Sequence, residues 1–437
     1  MSARKTGIMV VGLAGNNGSS LLAAHILAKQ GQMPMMLGSL ASVGTLPVSQ
    51  AKPGESPVYS TFRDLVPSLL RPEDVVIGGW DIRKMTMEQA MVNAKVLDRH
   101  TIEQVKYEAN KIKVLPSCNY PSFVAENQHE MANNCLVGHT ASPEHLEQVR
   151  LDIRDFKMEH KLDVVVVLYS GSTERYMETC DRVHGSAEGL VRGVQENNPE
   201  ISPSLIFGIA AMQEGCVFVN AAPQNTVCDG LIDLAHCHNG YICGSDARTG
   251  QTLCKVSMIE YLTHRGLKTK SITSNNGLGN NDGRNLQGRR QFKSKEISKG
   301  GVLDDTLKGN RLLHPSNDVE HMVRIEYVKE FGDEKRATDT YMVDTIFGKR
   351  MVIDQITVCP DTALAVPILF DMVIFGEYLT RPSPTHHVLS SMAFFFKKPE
   401  VNTNEYVFNG FSVTRKILEN AILRSVSREP VTIRAML

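Results

Sequence analysis

The stretch GIMVVGLAGNNGSSLLAAHILAKQG, residues 7–31, decides the fold. Its opening run, Gly7 to Val11, is short and apolar, as a buried parallel strand requires. Gly12, Gly15 and Gly18 follow at intervals of three, and LLAAHILAKQG then reads as a helix ending near Gly31. Strand, glycine-rich turn and helix in that order make a phosphate cradle. Glycine lets the backbone approach a pyrophosphate, and the helix N-terminus supplies free N–H groups and a positive dipole end. A lone glycine pattern is a weak signal; here the flanking strand and helix give it context. The acid that holds an adenosine ribose normally follows about 20 residues on. That region is MPMMLGSL, without a carboxylate. The next strand-then-acid segment is DVVIGGWD, ending at Asp81, which makes residues 32–74 an insertion rich in Pro, Gly and Ser. Asp81 also suits a helix cap ahead of MTMEQAMVNAKVL, and both roles are compatible.

Further along, residues 101–160 read as mostly helical around a Pro-bounded loop, LPSCNYPS. LDVVVVLYS is the clearest buried strand, and it ends in small polar residues, Ser170, Gly171, Ser172 and Thr173. Such residues at a strand's carboxyl end fit the ligand crevice of an open α/β sheet. SLIFGIAAMQEG and CVFVNAAPQNT continue the alternation. Beyond Gly250 the texture changes. HMVRIEYVKEFGDEKRATDTYMVDTIFGKRMVIDQITVCPD reads as alternating strands with turns at GDEK and FGKR, a sheet of mixed or antiparallel type, one face of which suits an oligomer interface. The last 75 or so residues return to helix.

Between these regions lies SNNGLGNNDGRNLQGRRQFKSKEISK, residues 274–299. Its amides both donate and accept hydrogen bonds, which suits a polyhydroxylated ligand. From Arg284 to Arg311 there are eight Lys/Arg against three Asp/Glu, which suits an anion. Lys295 and Lys299 are four apart, so a helix points both to one face, where each disfavours the other's charge. A solvated basic loop is the plainer reading of the same residues.

The 437 residues exceed one simple core, and the 42% apolar and 22% charged content is ordinary for a globular enzyme. A formal charge of −1 gives no global basic excess for nucleic acid. Nine cysteines without C-x-x-C spacing read as reduced thiols in a cytoplasmic setting. His236, Cys237 and His238 could hold a metal, but scattered packing is the simpler reading, and no metal is expected. No signal peptide and no membrane span are expected either.

Several stretches together resemble one family, the myo-inositol-1-phosphate synthases. They are GLAGNNGSS, GGWDI, ANN (132–134), STERY (172–176), NAAPQNT (220–226), SDARTGQT (245–252), SNNGLGNNDGRNL, QFKSKEISK, GDEKRATDTY and ENAILR. They occur in family order and span nearly the whole chain; GNNDG and SKEISK are the most specific. The resemblance is to the eukaryotic type without its N-terminal extension. It implies an α/β fold: a doubly wound Rossmann-type NAD-binding domain (1–250), an α+β catalytic and tetramerisation domain (251–360), and a C-terminal segment (361–437) packing back on the first. It implies NAD as cofactor, glucose 6-phosphate as substrate and a homotetramer. The family oxidises C5, closes the ring by an intramolecular aldol step and reduces C5 again, giving inositol phosphate without net redox.

By the same resemblance Lys295 moves the proton during C5 oxidation, Asp282 and Lys335 act near the C5 oxygen, and Lys299 helps hold the phosphate. Thr249, Asn276, Leu278 and Asn280 line the substrate. Gly12, Gly15, Asn16, Asn17, Gly18 and Ser19 match the pyrophosphate turn, and Asp81 the ribose acid. Ser117, Ser170, Gly171, Ser172, Ala221, Asp246, Gly332, Asp333 and Asp361 fall where the family lines the cofactor. Taken singly, the glycines suit turns and Asp333 and Asp361 suit helix caps. The sequence departs from the family at Met131, at Leu253 and at Val413, which stands at the expected position of a C-terminal lysine. Lys416, three residues on, is the expected substitute. Val413 is also the best support for one rival, a relative acting on another sugar phosphate and stopping at a keto or cyclised stage; against a second rival, a non-catalytic NAD- or sugar-phosphate-binding protein, stands the intact lysine set.

Overall fold

The computed structural model describes residues 4–48, 58–316, 319–382, 384, 386–402 and 404–429. Part of the expected 32–74 insertion, residues 49–57, lies outside them. A six-stranded parallel sheet carries the N-terminal half: β1 (Thr6–Val11), β2 (Val76–Asp81), β3 (Leu115–Pro116), β4 (Val164–Tyr169), β5 (Val217–Asn220) and β6 (Tyr241–Gly244). Their spatial order is β3-β2-β1-β4-β5-β6. The order reverses beside β1, and ligands of open α/β sheets bind outside the strands' carboxyl ends at such a switch point. β1 is buried along its length because it pairs in parallel on both sides, with Val11 opposite Trp80 and Tyr169. That accounts for its uninterrupted apolar sequence.

Helices cover both faces of this sheet. One face takes α2 (Pro143–Glu159), α3 (Pro203–Gln213) and α4 (Asp229–His238), and their apolar sides form one core with the strands. The other takes α1 (Asn16–Lys29) and, from the far end of the chain, α7 (Asp361–Leu379). By length and composition α7 could cross a membrane, but 89% of that stretch is buried inside the fold. Its two inner acids have partners. Asp371 accepts from Ser39 Oγ at 2.6 Å and from the Leu40 and Ala41 amides, so it fastens the insertion to the core. Glu377 pairs with Arg4 at 2.6 Å and with Arg381 at 2.7 Å.

The second sheet has four strands: β7 (Lys268–Leu278), β8 (Glu320–Tyr327), β9 (Glu334–Asp344) and β10 (Arg350–Pro360), in the order β8-β7-β9-β10. β7 and β8 are parallel and the other pairs antiparallel, so the sheet is mixed. Helices α5 (Gly250–His264) and α6 (Arg289–Gly301) lie on the side toward the first domain, and α8 (Phe411–Ser425) packs against α5. The GNNDG loop follows the carboxyl end of β7, so it meets the carboxyl ends of β1 and β4 across one cleft.

Candidate active site

Gly12 leaves β1 at φ +92°, and a Cβ there would sit 3.0 Å from the Ser170 carbonyl oxygen. A Cβ on Gly18 would meet the Gly12 and Leu13 carbonyl oxygens at 2.5 Å, so only glycine allows α1 this close to the end of β1. The first turn of α1 holds no acidic residue and has no side-chain cap. Its free N–H groups and positive dipole end therefore remain for an anion. These features fit a dinucleotide pyrophosphate. Gly12, Gly15, Asn16 and Asn17 line the cleft, and Asn17 donates to Ser170 Oγ at 3.1 Å. Gly18 and Ser19 do not line it. Gly18 is the helix–strand contact just described, and the buried Ser19 hydroxyl donates back to the Gly15 carbonyl at 2.7 Å.

Asp81 stands at the carboxyl end of β2, beside the cradle. Its carboxylate accepts from the Ala14 amide at 2.9 Å and from the Arg83 amide and Nε at 2.9 and 3.2 Å. It caps no helix: Thr86 and Gln89 form the capping box of Met87–Ala94. Ser117, Ser170, Gly171, Ser172, Ala221 and Asp361 line the same cleft, as does Met131. Gly332 lines an adjoining chamber instead. Asp333 lines neither. It accepts from Asn16 Nδ2 at 3.0 Å and from the Thr362 amide and hydroxyl at 3.0 and 2.6 Å, so it caps α7 and ties that helix to the cradle.

Four lysines converge at the other end of the cleft. Lys295, Lys299, Lys335 and Lys397 line it with Asp246, Asp282, Thr249, Leu278 and Asn280. Lys295 and Lys299 lie on one face of α6, as their spacing requires. Asp246 is buried in the left-handed region at φ +60°. Its carboxylate accepts from Lys295 at 3.1 Å, Lys397 at 2.9 Å and Ser298 Oγ at 2.5 Å. These bonds occupy it, so it orders the lysines rather than offering free acceptors to a cofactor. Asp282 accepts from Thr173 Oγ1 at 3.0 Å, and Lys335 pairs with Asp361 at 3.5 Å. The Asn280 side chain accepts from the Gly283 amide at 2.9 Å and so caps the short helix that carries Asp282. Asn276 stands behind Lys299, accepting from its Nζ at 3.3 Å and from Gln251 at 3.1 Å.

The charges follow from this geometry. Burial would lower the Lys295 pKa, but the carboxylates of Asp246, Asp282 and Asp361 raise it to about 12. Burial would raise Asp246, yet Lys295 and Lys397 hold it well below the usual carboxylate range. Burial pushes Lys397 down to about 8 despite Asp246. Lys299 is buried too, and the ammonium groups of Lys335, Lys255, Lys397 and Lys295 push it further, well below an ordinary lysine. Among the described residues no carboxylate lies within ion-pair distance of Lys299. The mutual repulsion read from the 295/299 spacing therefore shows on one partner only: Lys299 is pushed down, while Lys295 is held up by its carboxylates.

Two readings from the C-terminal sequence are corrected. Lys416 is not in the cleft. It lies on α8 with its ammonium 3.4 Å from Glu419, and Val413 on the same helix is 39% exposed. The C-terminal lysine in the cleft is Lys397. Residues 395–400 run antiparallel to 244–248, with the Lys397 amide donating to the Asp246 carbonyl at 2.8 Å and the Arg248 amide to that of Phe395 at 2.8 Å. One signal was available: Lys397 directly follows the apolar run AFFF, and a lysine set into such a run is seldom buried without a partner. The other departure, Leu253, packs partly buried against the core. His236 sits ring to ring with His387, centroids 4.5 Å apart.

A family model described as myo-inositol-1-phosphate synthase matches residues 6–424. The chain belongs to this family. Inositol-3-phosphate synthase 1 of Oryza sativa subsp. japonica is 37% identical over 98% of this chain and 87% of its own length. The Saccharomyces cerevisiae inositol-3-phosphate synthase is 36% identical over 95% of this chain and 84% of its own. The crystal structure of the Caenorhabditis elegans inositol-3-phosphate synthase superposes with a TM-score of 0.93 at 36% identity, covering 98% of this chain and 87% of that one. The cofactor of the family is NAD, which the cradle fits.

Burial and the neighbouring ammonium groups lower both Lys299 and Lys397 in the free protein, Lys397 to about 8. A bound phosphate dianion favours the ammonium forms and raises both pKa values. Binding a sugar 6-phosphate near pH 8 is therefore expected to take up protons. Calorimetry in two buffers of different ionisation enthalpy measures this uptake. Heats independent of buffer, or proton release, contradict the assignment.

Proposed function

We propose that the chain converts D-glucose 6-phosphate to 1D-myo-inositol 3-phosphate by oxidation at C5, aldol closure between C6 and C1, and reduction at C5. The observation that carries this reading is the cluster of four lysines, two of them on the buried carboxylate of Asp246, beside a dinucleotide cradle. NAD supplies hydride acceptance and return, so the reaction has no net redox change. The protein's own groups divide the remaining work. Lys299, lacking a carboxylate partner, takes the phosphate. Lys295, held charged by Asp246, stabilises the oxygen that becomes negative as C6 loses its proton. Lys397, with its pKa near neutrality, moves protons through its Nζ. This gives the proton transfer first expected of Lys295 to Lys397, the C-terminal lysine that lines the cleft in place of Lys416. Lys335, beside Asp361, and Asp282, hydrogen-bonded to Thr173, complete the polar wall. The reading that rested on Val413, a relative with another sugar phosphate or a keto product, loses its support, because this residue does not line the cleft.

We also propose a homotetramer assembled through the second sheet. β10 is an edge strand with Val352, Ile356 and Val358 on one face, exposed by 52%, 73% and 53%. An exposed apolar edge strand is a ready surface for pairing. Sedimentation equilibrium is expected to give four copies, and a monomer would refute this assembly.

The activity is tested by incubating the protein with glucose 6-phosphate and NAD+ and following phosphorus and proton NMR. Inositol phosphate without NADH accumulation is expected; NADH build-up or no turnover contradicts the proposal. Lys397→Ala should lower kcat at least ~100-fold, the lower end for a proton-transfer group. Lys416→Ala and Val413→Lys should leave it within about twofold, as surface changes away from the site do. The opposite ranking would return the α8 lysine to the mechanism.

A further inference from the structure

An adjoining chamber opens beside Asp81, at the ribose end of the cleft. Its walls include Asn16, Arg83, Lys95, Met131, Arg284 and Lys329. Four of its fifteen lining residues are basic, and no Asp or Glu among the described residues lines the chamber. Lys95, Arg284 and Lys329 make no ion pair among the described residues. Apart from Arg83, which pairs with Asp81, the chamber's positive charge thus has no protein counter-ion among the described residues.

The acid that normally favours an unmodified ribose is compromised here. A carboxylate that selects a 2′-hydroxyl does so by accepting its hydrogen bond and by repelling a phosphate at the same oxygen. Asp81 has about four acceptor positions. Three are taken, by the Ala14 amide, the Arg83 amide and Arg83 Nε. The ion pair with Arg83, at 3.2 Å, also offsets its charge. Arg83 Nη2 donates to the Ala14 carbonyl at 2.5 Å, which fixes the guanidinium between cleft and chamber. Nη1 has no hydrogen-bond acceptor among the described residues. An anchored guanidinium with free N–H groups is suited to bidentate recognition of a phosphate.

We infer that this chamber accepts a phosphate ester on the 2′ oxygen of the adenosine ribose, so that the chain binds NADP with an affinity within tenfold of that for NAD. Arg83 is the specificity-determining residue, and Lys95, Lys329 and Arg284 supply the surrounding field. The inference goes beyond the NAD assignment and rests on it.

Binding alone tests it. The purified protein, with its resident nucleotide quantified after acid extraction, is titrated with NADH and with NADPH, and the nicotinamide fluorescence is followed. NADPH is expected to bind with a Kd no more than tenfold above that of NADH. Arg83→Ser is expected to weaken NADPH at least tenfold and NADH less than threefold. Lys95→Gln, a change on an exposed turn, should weaken NADPH at least threefold and leave NADH unchanged, which keeps the test available if Arg83→Ser fails to fold. A native NADPH Kd more than tenfold above that of NADH overturns the inference, as does an equal loss of both nucleotides in these variants. Failure to bind NADH at all would count against the cradle itself, a different outcome from loss of NADPH alone.

Discussion

A single buried carboxylate, Asp246, holds the reactive end of this protein together. It bonds Lys295 and Ser298 from α6 and Lys397 from the C-terminal segment, so two distant parts of the chain meet at its two oxygens. Without it, four ammonium groups would share one cleft with only Asp282 and Asp361 to balance them. Breaking a buried ion pair by removing one partner costs about 3–5 kcal/mol, because the other charge is left uncompensated. The arrangement differentiates the lysines. The one touching Asp246 and facing Asp282 stays charged, the second on Asp246 is lowered to about 8, and the one without a carboxylate is pushed well below an ordinary lysine. One residue type thereby supplies a fixed positive charge, a proton carrier and an anion receptor.

The rest of the fold positions that carboxylate against the dinucleotide cradle. Asp246 lies just past β6, and the glycine turn lies just past β1, both at the carboxyl ends of one parallel sheet. The second sheet brings the GNNDG loop and Lys335 over the top. Asp333 locks the two parts, since it bonds Asn16 of the cradle and caps α7, whose first residue, Asp361, pairs with Lys335. A displacement of either sheet would thus be felt at both the cofactor and the lysines.

Much of this was legible in the sequence where the determinants are local. The strand–turn–helix of residues 7–31 is contiguous and its chemistry is steric, so the cradle could be read directly. Asp81 was found by asking which strand next ends in an acid, despite the intervening insertion. The 295/299 spacing located two lysines because a helix fixes their face. Lys397 was not legible in this way. It reaches the site through backbone pairing with a segment about 150 residues away, and no periodicity encodes that pairing. Lys416 was chosen by helix spacing from a misplaced reference, Val413. Gly18, Ser19 and Asp333 were assigned to the cofactor because they sit within motif stretches. They instead build the turn and its lock, a distinction that depends on side-chain direction.

The account stands or falls on Asp246 setting the charge of Lys295. Amine acylation at pH 8.5, quantified residue by residue by mass spectrometry, reads that charge directly, because only the neutral amine reacts. In Asp246→Asn the amide keeps the shape but not the charge, so burial and the neighbouring lysines should lower the Lys295 pKa. The account predicts that Lys295 is labelled at least tenfold faster in the variant than in the native protein, with exposed lysines such as Lys293 as internal reference. Equal labelling of Lys295 in the two proteins would contradict it.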